Sequence, residues 1–156
     1  MKKSLQFIAF CLLMLIQNAS AQNVVTVSGD ISSNTNWTND NIYLLSGFVY
    51  VTGNSELTIQ PGTIIKGDKA TKGSLIVTKG SKIYALGTPD QPIVFTSNQP
   101  EGSRNYGDWG GIIILGDAPI NVAGGTAVIE GGVDTPEGDA SYGGADASDN
   151  SGSLTY

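Results

Sequence analysis

The chain has 156 residues, a formal net charge of −6, no histidine and a single cysteine. Binding a phosphate backbone relies on clustered lysine and arginine, so this balance argues against nucleic acid as a partner. The lack of histidine excludes Ser-His nucleophilic arrangements and histidine acid–base chemistry within the chain.

Residues 1–21 read as a cleaved export signal. Lys2 and Lys3 give a positive start, Leu5 to Ile16 form a mostly apolar run, and Ala19-Ser20-Ala21 is a small-residue cleavage pattern. That run is about 12 residues, short of the roughly 20 a membrane span needs, so no transmembrane span is expected in the mature chain. Cys11 lies inside the run behind bulky Phe10, which does not suit lipid modification. Once the signal is removed no thiol remains, and disulfides or cysteine ligands are excluded. The mature chain then carries 6 basic and 14 acidic residues, and it is expected to be secreted or held at the outer cell surface.

Residues 22–55 are expected to hold N-terminal strands and a cap. Val24 to Val27, Ile42 to Leu45 and Phe48 to Val51 are rich in β-branched and aromatic residues, as strands are. Between the first two runs, Ser28 to Asn41 is dense in Ser, Asn, Thr and Asp, whose side chains hydrogen-bond to nearby backbone and favour turns.

From residue 56 to 156 the pattern becomes regular. Leu57-Thr58-Ile59, Leu75-Ile76-Val77, Ile93-Val94-Phe95 and Ile112-Ile113-Ile114 recur at a nearly constant step along the chain. Corners such as Pro61-Gly62, Lys79-Gly80-Ser81 and Gly87-Thr88-Pro89-Asp90 separate them, where Gly permits positive φ and Pro fixes φ in the extended or turn region. One such unit has too little apolar surface to close on itself, so units must stack, which predicts an all-β solenoid. Strand alternation then predicts core columns in which Leu57, Leu75, Ile93 and Ile112 stack, as do Ile59, Val77, Phe95 and Ile114. The outward positions Thr58, Ile76, Val94 and Ile113 form a mostly aliphatic strip, which a loop of this chain is expected to cover.

That loop is the Gly/Asp-rich insertion at 134–152, between a weakly apolar strand at Ala127 to Glu130 and a last strand at Leu154 to Tyr156. Asp134, Asp139, Asp146 and Asp149 offer the oxygen ligands that calcium prefers, although their spacing matches neither the EF-hand loop nor the glycine-rich nonapeptide calcium repeat. Tyr106 and Trp109 form a candidate sugar-stacking platform, against the plainer expectation that Trp109 plugs the corner made by Gly107, Gly110 and Gly111. Lys66, Lys69 and Lys72 read as a solvated patch. Leu154-Thr155-Tyr156 begins a strand with no visible cap, so the solenoid is expected to be truncated at the C-terminus and continued by further rungs of a longer chain.

Several segments together carry a family likeness: Asn41-Ile42-Tyr43-Leu44-Leu45-Ser46-Gly47, Leu57-Thr58-Ile59-Gln60-Pro61-Gly62-Thr63, Pro92-Ile93-Val94-Phe95-Thr96-Ser97, Gly107-Asp108-Trp109-Gly110-Gly111, Tyr142-Gly143-Gly144 and Asp149-Asn150-Ser151-Gly152. The chain resembles the start of secreted, right-handed parallel β-helix proteins of Gram-negative bacteria with a pectin-lyase-like superhelix. The resemblance covers residues 37–156 and implies export to the surface or medium, without assigning an activity. In lyases of this fold it implies a basic proton acceptor beside calcium-holding carboxylates, a pair that only Arg104 and Asp108 could imitate here. Asp108 and Asp117 flank one strand and are the pair to weigh for glycoside hydrolysis, which needs two carboxyl groups about 5–9.5 Å apart. No residue is assigned as catalytic. The reading that follows is a non-enzymatic, adhesin-like surface module facing polysaccharide or other cell-surface components. Its alternative is the N-terminal part of a polysaccharide lyase or glycoside hydrolase whose catalytic residues lie beyond residue 156.

Overall fold

The computed structural model describes residues 22–156, so the export signal read at 1–21 lies outside the described residues. The elements in chain order are β1 (Asn23–Ile31), β2 (Thr35–Trp37), β3 (Asn41–Val51), β4 (Glu56–Ile59), β5 (Ile64–Gly67), β6 (Ser74–Val77), β7 (Lys82–Leu86), β8 (Val94–Ser97), β9 (Gly111–Ile114), β10 (Ala127–Val128), β11 (Ser141–Tyr142) and β12 (Gly152–Thr155). Among the described residues there is no helix. Apart from the antiparallel β10–β11 pair, every strand pairing among them is parallel and joins successive turns of the rod. The fold is a parallel β-helix.

Its rungs have three faces. The long strands β1 and β3 each bend across the first two faces, with Gly29 (φ +69°) and Gly47 (φ +71°) at the bends. A residue with a Cβ is disfavoured in that left-handed region, so glycine is what lets one strand serve two faces. In the third rung the same two faces are held by separate strands, β5 and β6, and in the fourth by β8 and β9. The third face stacks β2, β4, β7 and β12 in that order.

This arrangement corrects the expected columns. Leu57 pairs with Ile83 and Ile59 with Ala85 on the third face, whereas Leu75 and Val77 pair with Ile112 and Ile114 on the second. Ile93 immediately precedes β8, on the first face, and Phe95 pairs there with Ile65. Only the step from Leu75 to Ile112, with its companion from Val77 to Ile114, is a true stack. The regular interval from Leu57 to Leu75 and on to Ile93 joins strands on different faces, because corners of unequal length separate three strands per rung. The partners that do stack are spaced unevenly along the chain: Leu45 lies against Gly67, Leu57 against Ile83, and Leu75 against the much more distant Ile112.

The interior is nonetheless built by alternation, as expected of strands. Leu45, Val49, Val51, Leu57, Ile65, Leu75, Val77 and Ile83 point inward and are fully buried, forming one apolar core. Each such side chain contributes about 1.5–3 kcal/mol by transfer from water. Near the first rung Trp37 stacks on Tyr43 with ring centroids 4.6 Å apart and planes 13° from parallel. The Thr38 backbone N–H donates to the Tyr43 hydroxyl at 2.9 Å, which satisfies a phenol whose ring is otherwise buried.

A second, smaller core lies outside the second face. Tyr50, Ile76 and Leu115 are buried there, with Phe48, Ile113, Ile129 and Tyr142 packed against them. The chain does cover Ile76 and Ile113 with its own insertion, from Leu115, Ile129 and Tyr142. Val94 is on another face and stays 39 % exposed. The excursion also begins earlier than residue 134: β10 pairs with β11 inside it instead of joining a rung, and the chain returns to the stack at β12.

Candidate functional site

Two charged anchors hold the non-repetitive parts of the chain to the rod. The first secures the segment between β8 and β9. Asp108 is almost wholly buried, and its carboxylate accepts hydrogen bonds from Ser97 Oγ and the Asn105 backbone N–H, both at 2.8 Å. Lys69 Nζ lies 2.9 Å from its other oxygen. The Lys69 ammonium, with the Asn105 and Ser97 donors, holds this carboxyl well below the usual range, down to about 2. Beside it, Trp109 lies over Gly67 with its indole packed against the core. An added Cβ at Gly67 would come within 2.4 Å of Trp109 Cβ, so the glycine makes room for the ring.

The second anchor ties down the insertion. Lys79 Nζ lies 2.7 Å from Asp117 Oδ1 and donates to the Gly143 carbonyl at 2.6 Å. The Gly143 backbone N–H donates to the Gly116 carbonyl at 2.8 Å, and Asp149 Oδ2 accepts from the Asp117 backbone N–H at 2.9 Å. Tyr50 donates its hydroxyl proton to the Val133 carbonyl at 2.6 Å. Burial, then the charges of Asp139, Asp30 and Asp134, push this phenol above its ordinary value, so it remains a donor.

Between the insertion and the corners that join the second and third faces runs an open polar cleft of about 270 Å³. Thr52, Asn54, Thr78 and Lys79 line its rod side, and Asp139 and Ser141 line its insertion side. The corners 52–55 and 78–81 are successive copies of one tight turn, since Glu56 pairs with Lys82 just after them. In the fourth rung this turn is replaced by the whole insertion, which folds back over the corners below. That substitution creates the cleft.

The four aspartates singled out for calcium are not brought to one place. Asp134 accepts from the Ala140 N–H at 3.1 Å, Asp139 from Thr135 Oγ1 at 2.5 Å, and Asp149 from the Asp117 N–H. Asp146 accepts from the hydroxyl and the N–H of Ser148, which lower its carboxyl. Among the described residues no group of three or more acidic, Cys or His side chains is placed to hold a metal ion. Tyr106 is 95 % exposed, whereas Trp109 is committed to the core, so the two occupy different environments.

Arg104 donates to the Gln99 carbonyl at 3.1 Å and stands on the surface. Asp108 is instead paired with Lys69, from the preceding rung and from a trio expected to be mere solvated charge. Asp117 is paired with Lys79. No signal in the sequence marks either partnership, because each joins corners of different rungs and depends on the register.

A family model for the pectate-lyase-like β-helix domain matches residues 29–156. Searches of curated proteins and of solved structures return no match. The matched span includes β2 to β12, the Asp108–Trp109 anchor and the cleft, and on that match the chain belongs to the pectate-lyase-like β-helix domain family.

Proposed function

We propose that the chain is an exported, non-enzymatic β-helix module that acts at the cell surface or in the medium, with the rod as scaffold and the polar cleft as its glycan-facing contact. The observation that carries this reading is that three basic residues in or beside the non-repetitive segments are engaged within the chain. Lys69 is held on Asp108, Lys79 on Asp117 and the Gly143 carbonyl, and Arg104 on the Gln99 carbonyl. A lyase needs a base free to take a proton from the substrate, within hydrogen-bond reach of it. Here the charges close corners and hold loops.

The family match favours a second reading, in which these rungs are the front of a polysaccharide lyase or hydrolase. Incubating the purified protein with polygalacturonate, with and without calcium, tests the module reading on the rungs present. The module produces no unsaturated uronides by ultraviolet absorbance and no new reducing ends; calcium-dependent product would refute it. Export is tested by expressing the chain in a Gram-negative host, with mature protein starting at Gln22 expected outside the cytoplasm. Retention in the cytoplasm with an intact N-terminus would refute that part.

A further inference from the structure

We propose that the cleft between the insertion and the corners at 52–54 and 78–79 binds an uncharged saccharide unit and rejects uronates; this rests on the glycan-facing reading above and names its ligand. The hydrogen-bonding capacity left over in the cleft supports it. Asn54 and Ser141 line the cleft; the Asn54 amide oxygen rests against Gly80, and neither side chain has an internal hydrogen-bond partner among the described residues. Asp139 Oδ1 receives only a 3.4 Å bond from Thr52 Oγ1, and Lys79 Nζ has two partners for three N–H groups. Donors and acceptors therefore face the same space from both walls, which is how a sugar's paired hydroxyls are met.

Charge decides which sugar. The Lys79 ammonium is matched by Asp117 at 2.7 Å, and Asp139 adds a carboxylate with no cation against it among the described residues, on a chain whose net charge is −6. A uronate entering this cleft would meet like charge, which disfavours binding. Size points to a short contact. A cleft of about 270 Å³ falls just below the roughly 300–1,000 Å³ of drug-sized sites, so one ring sits inside and its neighbours lie in solvent. The walls come from segments far apart in the chain, as the Thr52–Asp139 bond shows, and the site exists only while the insertion is docked.

The test is titration calorimetry and ligand-observed NMR on the intact protein, with cellobiose, xylobiose and mannobiose as neutral probes and digalacturonate as the charged one. At least one neutral disaccharide binds at millimolar concentration, and digalacturonate does not. Asn54→Gly keeps a residue suited to the positive φ of +60°, and Ser141→Ala removes a hydroxyl with no internal partner. Each variant loses about tenfold in affinity, the scale of one hydrogen bond, while its melting temperature stays at the wild-type value. Binding by none of the neutral probes, tighter binding of digalacturonate, or full affinity in both variants would overturn the proposal. Polygalacturonate turnover would instead refute the non-enzymatic reading, so the two failures are distinguishable.

Discussion

Replacing Gly67 with alanine is the sharpest test of how the first anchor is built. Gly67 lies on β5, with Leu45 paired on one side and Ser97 on the other, at an inward position that an aliphatic residue would ordinarily fill. Its φ lies outside the left-handed region, so alanine meets no backbone penalty there. The penalty is steric: the new Cβ would stand 2.4, 2.7 and 2.8 Å from Trp109 Cβ, Cγ and Cε3. Overpacking of this kind costs about 1–3 kcal/mol, and the reduced freedom of the unfolded chain returns about 0.4–1 kcal/mol. Mid-range values of about 2 and about 0.7 kcal/mol leave a net loss of about 1.3 kcal/mol, a fall in Tm of about 3–5 °C for a domain of this size. Thermal melts of Gly67→Ala, Trp109→Gly and the double variant measure it. Trp109→Gly removes both the clashing Cβ and the ring, so in that background alanine at 67 is neutral or stabilising, and the coupling is read directly from the cycle. The reasoning fails if Gly67→Ala melts at or above the wild-type temperature, or if its cost is unchanged when Trp109 is absent.

Two further outcomes follow from the anchors. Because the Asp108 carboxyl is lowered from 3.8 to about 2, its contribution to stability is present in full above the unfolded value and is lost as pH falls from about 4 through about 2. Wild type and Asp108→Asn therefore differ most above pH 4 and converge towards pH 2 in a series of melts; a constant difference across that range would contradict the assignment. Lys79→Met removes a partly exposed ion pair and the bond to the Gly143 carbonyl, costing on the order of 1 kcal/mol. Hydrogen exchange should quicken at Gly143 and Asp117 while the amides of β5 and β6 keep their protection, and uniform loosening would show that the insertion is not held locally.

Local structure was legible residue by residue. The apolar runs at 42–45, 48–51, 57–59, 75–77 and 112–114 are strands because apolar, largely β-branched residues cluster there, and Gly62 and Gly80 (φ +80° and +77°) turn the chain between them. The plug expected of Trp109 at the corner of Gly107, Gly110 and Gly111 is not what forms: the ring lies over Gly67 of the rung below, a contact set by register and so not readable from its flanking glycines. The candidate site could not be read either. Asn54, Lys79, Asp139 and Ser141 carry no motif, and they face one another only because the insertion folds back across the corners below it.

Stacking was already dictated by the amino-acid order: the apolar segments are too short to bury themselves singly, and glycine and proline interrupt them throughout. Which strand lies on which was settled by the winding of the chain. A parallel stack is set by the sum of three strands and three corners, so a constant interval along the chain does not report a constant interval along the rod. Thus Leu57 belongs with Ile83 and not Leu75, Asp108 with Lys69 and not Arg104. Hydrophobic alternation acts between neighbours in sequence, whereas register, ion pairing and the cleft act between rungs, through distances that exist only once the helix has wound.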